Sequence, residues 1–271
     1  MMSMKRSHDP IYRLILELMA RFGYVSVEEI IYGLGGQAQR ICRRLDLLER
    51  AGFIKRFPSL TRPAEFFCLR AQGRRLCQLW GVSDTVADFV PSHYNALLQL
   101  HSRLIIKSYL GLRRLFGPDF QGWVSESTLR REGGDRIFDG EFFVDMRLHL
   151  QPAGEIMTER WRWGFELELS LKTPGQYEKQ FDGLAWQVYD ALRREQTIPA
   201  LVFLCGSPPI FNRLLTHALR LPNEVGQCLF FFALAAEFFD RSADCPVVKV
   251  LRGQTTTIPA REMNAVKVAL P

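Results

Sequence analysis

No apolar run in the chain approaches the ~18 residues that a membrane span needs. The longest candidates, Leu201 to Cys205 and Leu229 to Ala236, have the length of strands. Cys-x-x-Cys spacing is also missing. The six cysteines, at 42, 68, 77, 205, 228 and 245, stand mostly in apolar surroundings, where cysteine behaves as a small hydrophobe, so neither a zinc site nor a disulfide framework is expected. Met1 to Pro10 carries Lys5, Arg6, His8 and Asp9 without an apolar core ahead of a small-residue cleavage site. A secretory signal is therefore not expected, and a cytoplasmic protein away from membranes is. Apolar residues make up 47% and charged residues 24%, ordinary globular values that exclude disorder, collagen-like repeats and coiled coil. At 271 residues the chain is long enough for two domains, each with its own core.

The net charge of +6 is concentrated at one end. Met1 to Ser83 holds fourteen basic against seven acidic residues, and the rest of the chain is nearly balanced at 21 against 22. A local excess of this kind is the electrostatic footprint expected of a nucleic-acid partner. Composition changes over Gly81-Val82-Ser83-Asp84 to Val90-Pro91-Ser92, which predicts a linker near residue 90 and units of 1–88 and 89–271.

In the basic third, Ile11, Leu14, Ile15, Leu18 and Met19 recur at helical spacing, and Gly23 supplies a C-cap. Ser26-Val27-Glu28-Glu29 reads as a capping box opening a short helix that stops at Gly33-Leu34-Gly35-Gly36. A third helix from Gln37 to about Ala51 puts Ile41, Leu45 and Leu48 on one face, with Gln37, Gln39, Arg40, Arg43, Arg44 and Arg50 largely on the others. Two strands, Phe53 to Phe57 and Phe66 to Arg70, follow around a loop carrying Arg62. Three helices and a two-stranded wing resemble a winged helix-turn-helix over residues 10 to 80, and Leu47 to Ile54 is typical of how that family leaves its recognition helix. The resemblance implies a DNA reader. Gln37, Gln39, Arg40, Arg43 and Arg44 would reach base edges in the major groove, with Lys55, Arg56 and Arg62 at phosphates. The plainer alternative is a solvated basic face, or a winged helix that binds protein.

In the remaining two thirds, a long helix is predicted from His93 to Phe116, then strands over Gln121 to Arg130, Arg136 to Leu150 and Arg160 to Lys172. A helix from Pro174-Gly175, a buried strand Ala200 to Cys205, a helix Ile210 to Leu219 and a last strand Cys228 to Ala235 complete a mixed α/β fold. Within Arg160 to Lys172, the apolar Trp161, Trp163, Phe165, Leu167, Leu169 and Leu171 alternate with Arg162, Glu166, Glu168, Ser170 and Lys172. Alternation projects Glu166, Glu168 and Lys172 from one face. Antiparallel pairing with the strand holding Asp139 would bring that acid beside Glu168.

Carboxylates and a lysine on adjacent strands suit metal-dependent phosphodiester hydrolysis, with Mg2+ or Mn2+ held by Asp139 and Glu168 and water as the nucleophile. Glu126, expected on the preceding strand, offers a third carboxylate, and Lys179 a substitute lysine. The solvated alternative pairs the strand acids with Arg162 or Arg147. His101 reads first as a packing histidine, and Tyr177 and Tyr189 as packing residues of their helix.

The element order and these residues resemble the PD-(D/E)XK restriction-endonuclease-like superfamily. Asp139, preceded by Phe138 in place of proline, matches the first acid, and Glu166 to Lys172 stands where the second motif belongs. Glu168 with Lys172 is then a displaced motif, or the site is inactive. From residue 10 to 235 the chain is also similar to the replication-relaxation family, which includes the restriction-endonuclease-like (MOBC) relaxases. That resemblance rests on the winged helix, on Leu100-His101-Ser102-Arg103 and on Glu166 to Lys172 followed by Tyr177-Glu178-Lys179. It implies a DNA nickase of a mobile element with catalytic Asp139, Glu166, Glu168 and Lys172. It further implies duplex DNA with a transfer origin as partner, other mobilisation proteins, a coupling ATPase, a homodimer as one assembly, and His101 near the site. The alternative is a non-catalytic DNA-binding regulator or replication initiator built on a degenerate nuclease fold.

Overall fold

The apolar spacing of the first segment becomes α1 (Pro10–Phe22), whose Asp9 side chain caps the Ile11 amide at 2.9 Å. The structure, a computed structural model, describes residues 9–58, 65–82, 96–131, 138–150, 155–193, 200–222 and 228–263. It is a mixed α+β protein with one three-stranded and one seven-stranded sheet. The chain divides into units Met1–Leu110 and Gly111–Pro271. The linker expected around residue 90 falls largely outside the described residues.

In the first unit, β1 (Val25–Ser26) leads into α2 (Val27–Leu34), and both halves of the predicted Ser26/Glu29 capping box form. Gly35 ends α2 at φ 61°, a left-handed conformation that glycine adopts without steric cost. Next comes α3 (Ala38–Arg50), which buries Ile41, Leu45 and Leu48 as the spacing predicts. Strands β2 (Ile54–Pro58) and β3 (Glu65–Leu69) pair antiparallel, and α4 (Ala71–Leu79) follows. The sheet has three strands and not two, because β1 pairs with β3 in the order β1-β3-β2. Residues 59–64 of the connecting loop lie outside the described residues.

Helix α5 (Ala96–Phe116) spans the division between the units. The second unit continues with β4 (Phe120–Ser125), α6 (Glu126–Arg131), β5 (Gly140–Leu150), β6 (Glu155–Glu168) and α7 (Pro174–Arg193). Then come β7 (Ala200–Cys205), α8 (Pro208–Ala218), β8 (Leu229–Leu234), α9 (Ala235–Arg241), β9 (Pro246–Leu251) and β10 (Gln254–Pro259). The sheet order is β10-β9-β8-β7-β6-β5-β4, with β6, β7 and β8 parallel and the outer pairs antiparallel.

Three expectations are corrected here. The strand placed over Gln121 to Arg130 stops at Ser125, where Ser125 Oγ and Thr128 Oγ1 share a hydrogen bond at 3.2 Å and a helix turns away. The strand placed over Arg160 to Lys172 ends at Glu168 and starts earlier, at Glu155. The strand from Cys228 is not the last. A β9–β10 hairpin follows, closed by Arg252 and Gly253 at φ 50° and 70°, both in the left-handed region that a tight two-residue turn requires.

The seven-stranded sheet is packed on both faces. On one, Trp163 stacks on Phe231 with centroids 5.1 Å apart, beside Phe142 and Phe116. On the other, Leu201, Phe203 and Cys205 of β7 pack against Tyr177 and Phe181 of α7 and Ile210 and Leu214 of α8. That second face carries the acidic residues.

Candidate functional site

Parallel pairing sets Gly164 opposite Leu201, Glu166 opposite Phe203 and Glu168 opposite Cys205. Paired residues face the same side, so Glu166 and Glu168 project toward α7, at the C-terminal end of β6. Ends of parallel strands are where α/β folds gather polar groups, because the chain leaves the sheet there. Glu168 is 6% exposed. Its Oε1 accepts from the Ser170 amide and hydroxyl, both at 3.2 Å, and its Oε2 is ion-paired with Lys172.

Lys172 therefore meets Glu168, but not from a strand. After Glu168 the Gly206 amide takes the Glu168 carbonyl at 2.8 Å and the chain leaves the ladder. The turn is held by side chains: the Lys172 amide donates to the Tyr177 hydroxyl at 3.2 Å, and that hydroxyl donates to the Ser170 carbonyl at 3.3 Å. The Lys172 ammonium also donates to Gln180 Oε1 at 2.9 Å.

Asp139 lies in a bend just before β5, outside the strand predicted over Arg136 to Leu150. Its Oδ2 accepts from the Leu167 amide at 2.8 Å, which ties the carboxylate to the backbone between Glu166 and Glu168. Asp139, Glu168 and Lys172 are thus gathered at one end of β6, and Glu166 is half-buried beside them on the same strand face. Glu126 is not on a strand: it opens α6 and pairs with Arg130 at 3.0 Å, one helical turn on. Arg162 pairs with buried Glu141 and not with the acids further along β6. Lys179 is exposed on α7, and the ammonium beside Glu168 comes from Lys172. His101 belongs to the first unit.

The donor set suits a hard, hydrated divalent ion. Mg2+ and Mn2+ use one or two carboxylates and complete their shells with water and phosphate oxygens. Among the described residues no group of three or more His, Cys, Asp or Glu is placed to hold a metal ion. Burial first, and the Glu168 charge second, push the Cys205 thiol up to about 12, so it stays a neutral packing group beneath the acids.

In the first unit, Gln37, Gln39, Arg40, Arg43 and Lys55 are exposed. Arg40, Arg43 and Arg50 lie at helical spacing on the side of α3 away from Ile41, Leu45 and Leu48. Among the described residues none of these three has an ion-pair partner. Two other expected contacts are occupied within the fold. Arg44 pairs with Asp9 at 3.3 Å and lies over the Tyr12 ring, and Arg56 pairs with Asp46 at 2.7 Å and Glu49 at 3.1 Å. Arg62 lies outside the described residues.

Ser170, Tyr177 and Gln180 complete the network around Lys172, a polar role that residue spacing alone assigns to none of them. Tyr177 is fully buried, as its packing reading expects, but its hydroxyl also closes the turn. The overlooked signal is Thr173-x-x-Gln176, a capping box in which Gln176 Oε1 accepts from the Thr173 amide at 2.9 Å. It fixes where α7 starts and hence that Tyr177 and Gln180, three apart, face the same way. No family model, curated protein or solved structure matches the chain.

Proposed function

We propose that the protein binds duplex DNA through its first unit and cleaves a phosphodiester with the Asp139, Glu168 and Lys172 group of its second, as a site-specific nickase of the relaxase kind. The observation that carries the reading is the Asp139 carboxylate anchored on the Leu167 amide, next to Glu168 and its Lys172 partner. Two carboxylates and one ammonium at the C-terminal end of a strand match what phosphodiester hydrolysis asks of a protein. The acids hold a cation and the ammonium meets an anionic oxygen. Bound Mg2+ or Mn2+ would polarise the phosphate and make attacking water more acidic. Asp139 and Glu168 are the residues that would hold it, with Glu166 next to them.

The first unit supports the DNA half of the reading. Its order, α1-β1-α2-α3-β2-β3, resembles that of a winged helix and supports the reading. In that resemblance α3 enters the major groove, and Arg40, Arg43 and Arg50 supply the exposed charge. A mobile element's transfer origin, mobilisation proteins and a coupling ATPase are the partners this reading implies, and a homodimer is one arrangement on DNA.

A second reading, a DNA-binding regulator or initiator on a retired nuclease fold, draws on Glu168, since both its oxygens already accept from Ser170 and Lys172. A supercoiled-plasmid nicking assay with Mg2+, Mn2+ or EDTA separates the two. Metal-dependent open circles from the wild type, lost in Glu168→Ala with duplex binding retained, support the nickase. Duplex binding without cleavage in any metal supports the regulator.

A further inference from the structure

We infer that Gln180 is a positioning residue for Lys172, and that it aims one ammonium proton at a non-bridging phosphate oxygen of the bound DNA strand. The inference rests on the nickase reading and adds to it the residue that directs the lysine.

A lysine ammonium carries three donors on a flexible four-carbon stem and has no preferred direction of its own. Here two of the three are committed. One goes to Glu168 Oε2 and one to Gln180 Oε1, the latter at 2.9 Å. Both acceptors are interior groups, since the Glu168 side chain is 7% exposed and Gln180 is 8% exposed, while the Lys172 side chain keeps 33%. Tetrahedral geometry at Nζ then sends the third proton away from both buried acceptors, toward the exposed side.

The stem is fixed at its root as well. The Lys172 amide is bonded to Tyr177, which is fully buried one turn before Gln180 on α7. One helix face thus grips the lysine at its backbone and at its tip. The chemical type of the second acceptor matters too. Asp139, Glu166 and Glu168 already outnumber the one ammonium at this end of β6, and a further carboxylate at 180 would add to the charge that repels a phosphodiester. An uncharged amide orients the ammonium without cancelling it.

Three proteins test this: wild type, Gln180→Leu, which removes the acceptor, and Gln180→Glu, which keeps an acceptor and adds charge. Pulsed acetylation at one pH, read at Lys172 by mass spectrometry, reports the hold on the ammonium without needing activity. Nicking kinetics with Mg2+ report its use. In Gln180→Leu, with its melting transition intact, Lys172 acetylation rises about threefold or more, kcat falls about tenfold or more and KM stays within about twofold. In Gln180→Glu acetylation stays near the wild-type rate and KM rises.

Unchanged Lys172 acetylation in folded Gln180→Leu overturns the positioning role, whatever the nicking result. Faster acetylation with unaltered nicking, or a rise in KM alone in Gln180→Leu, overturns its part in cleavage. A wild type that nicks in no metal overturns the nickase reading and the phosphate contact together, and the acetylation rates still decide whether Gln180 holds Lys172.

Discussion

Arg103 of α5 donates through Nε to Glu29 Oε1 at 2.8 Å, while the other oxygen of the same carboxylate accepts the Ser26 amide at 2.8 Å. Glu29 is fully buried, so the capping box of α2 places a carboxyl group inside the fold, paired with Arg103. Burial opposes the Arg103 charge, but Glu29 foremost and Glu28 after it outweigh burial and raise its pKa. Removing one member of such a pair leaves the other charge buried alone. Arg103→Ala should therefore lower stability by about 3–5 kcal/mol. Glu28→Ala, at a half-exposed partner, should cost under about 1 kcal/mol. Urea unfolding of the two variants checks this, and equal losses would refute the burial argument.

Under the proposed DNA-binding reading, the exposed and the occupied arginines of the first unit should separate DNA contact from fold. Each phosphate neutralised adds about 0.9 to the slope of log affinity against log salt. Arg40→Ala with Arg43→Ala should weaken duplex binding and lower the slope by about two. Arg44→Ala, which breaks the Asp9 pair and the Tyr12 contact, should lower the melting temperature and leave the slope near wild type. Anisotropy titrations at several salt concentrations measure both. A slope unchanged in the double variant would remove α3 from the proposed DNA interface.

How far the sequence reveals this fold depends on whether a feature is local. The caps of α2 and the buried stripe of Ile41, Leu45 and Leu48 need only neighbours in the chain, and they are readable. Where β6 stops is not local. Alternation runs on through Leu169 and Leu171, yet Leu171 is 60% exposed, because the strand ends where β7 ends and side chains take over the amides. The β9–β10 hairpin hides for another reason. β10 is exposed through Thr257, so it has no apolar alternation, and its turn uses Arg252 where asparagine or aspartate is the usual signal. Within the site, the acids and lysine are visible as residue types. The contact of Lys172 with Gln180 requires knowing that the chain turns between them.

One glycine substitution should change sign between two places in the second unit. A Cβ at Gly164 would lie 2.4 Å from Leu201 Cδ2 and 3.1 Å from the Phe138 ring, and both neighbours are buried. Gly164→Ala should destabilise by about 1–3 kcal/mol through overpacking, and the disturbance reaches the segment that carries Asp139. At Gly175, in the first turn of α7, a Cβ meets nothing within 4 Å. Gly175→Ala should stabilise by about 0.4–1 kcal/mol, because alanine loses less backbone freedom on folding. Thermal melts of the pair decide the matter, and loss of stability at both positions would contradict the open space at Gly175.

The buried thiols give the native state a limit in alkali. Burial pushes Cys77, Cys205 and Cys228 up to about 12 and Cys245 up to about 11, with nearby Glu17, Glu168 and Glu237 adding to Cys77, Cys205 and Cys245. In the unfolded chain these thiols titrate near their ordinary value of about 8.5. Above that pH the unfolded state has lost protons that the folded state retains, so stability falls as pH rises from about 9 toward 12 and is unaffected by these groups below pH 8. Thiolate is the species that alkylates. At pH 8 the native protein should therefore take iodoacetamide rapidly at exposed Cys42, and at Cys77, Cys205, Cys228 and Cys245 only after urea. Mass spectrometry of labelled peptides reads this directly. Rapid native labelling of Cys205 would mean that the floor beneath Glu168 is open to solvent, and the packing of β7 against α7 would have to be redrawn.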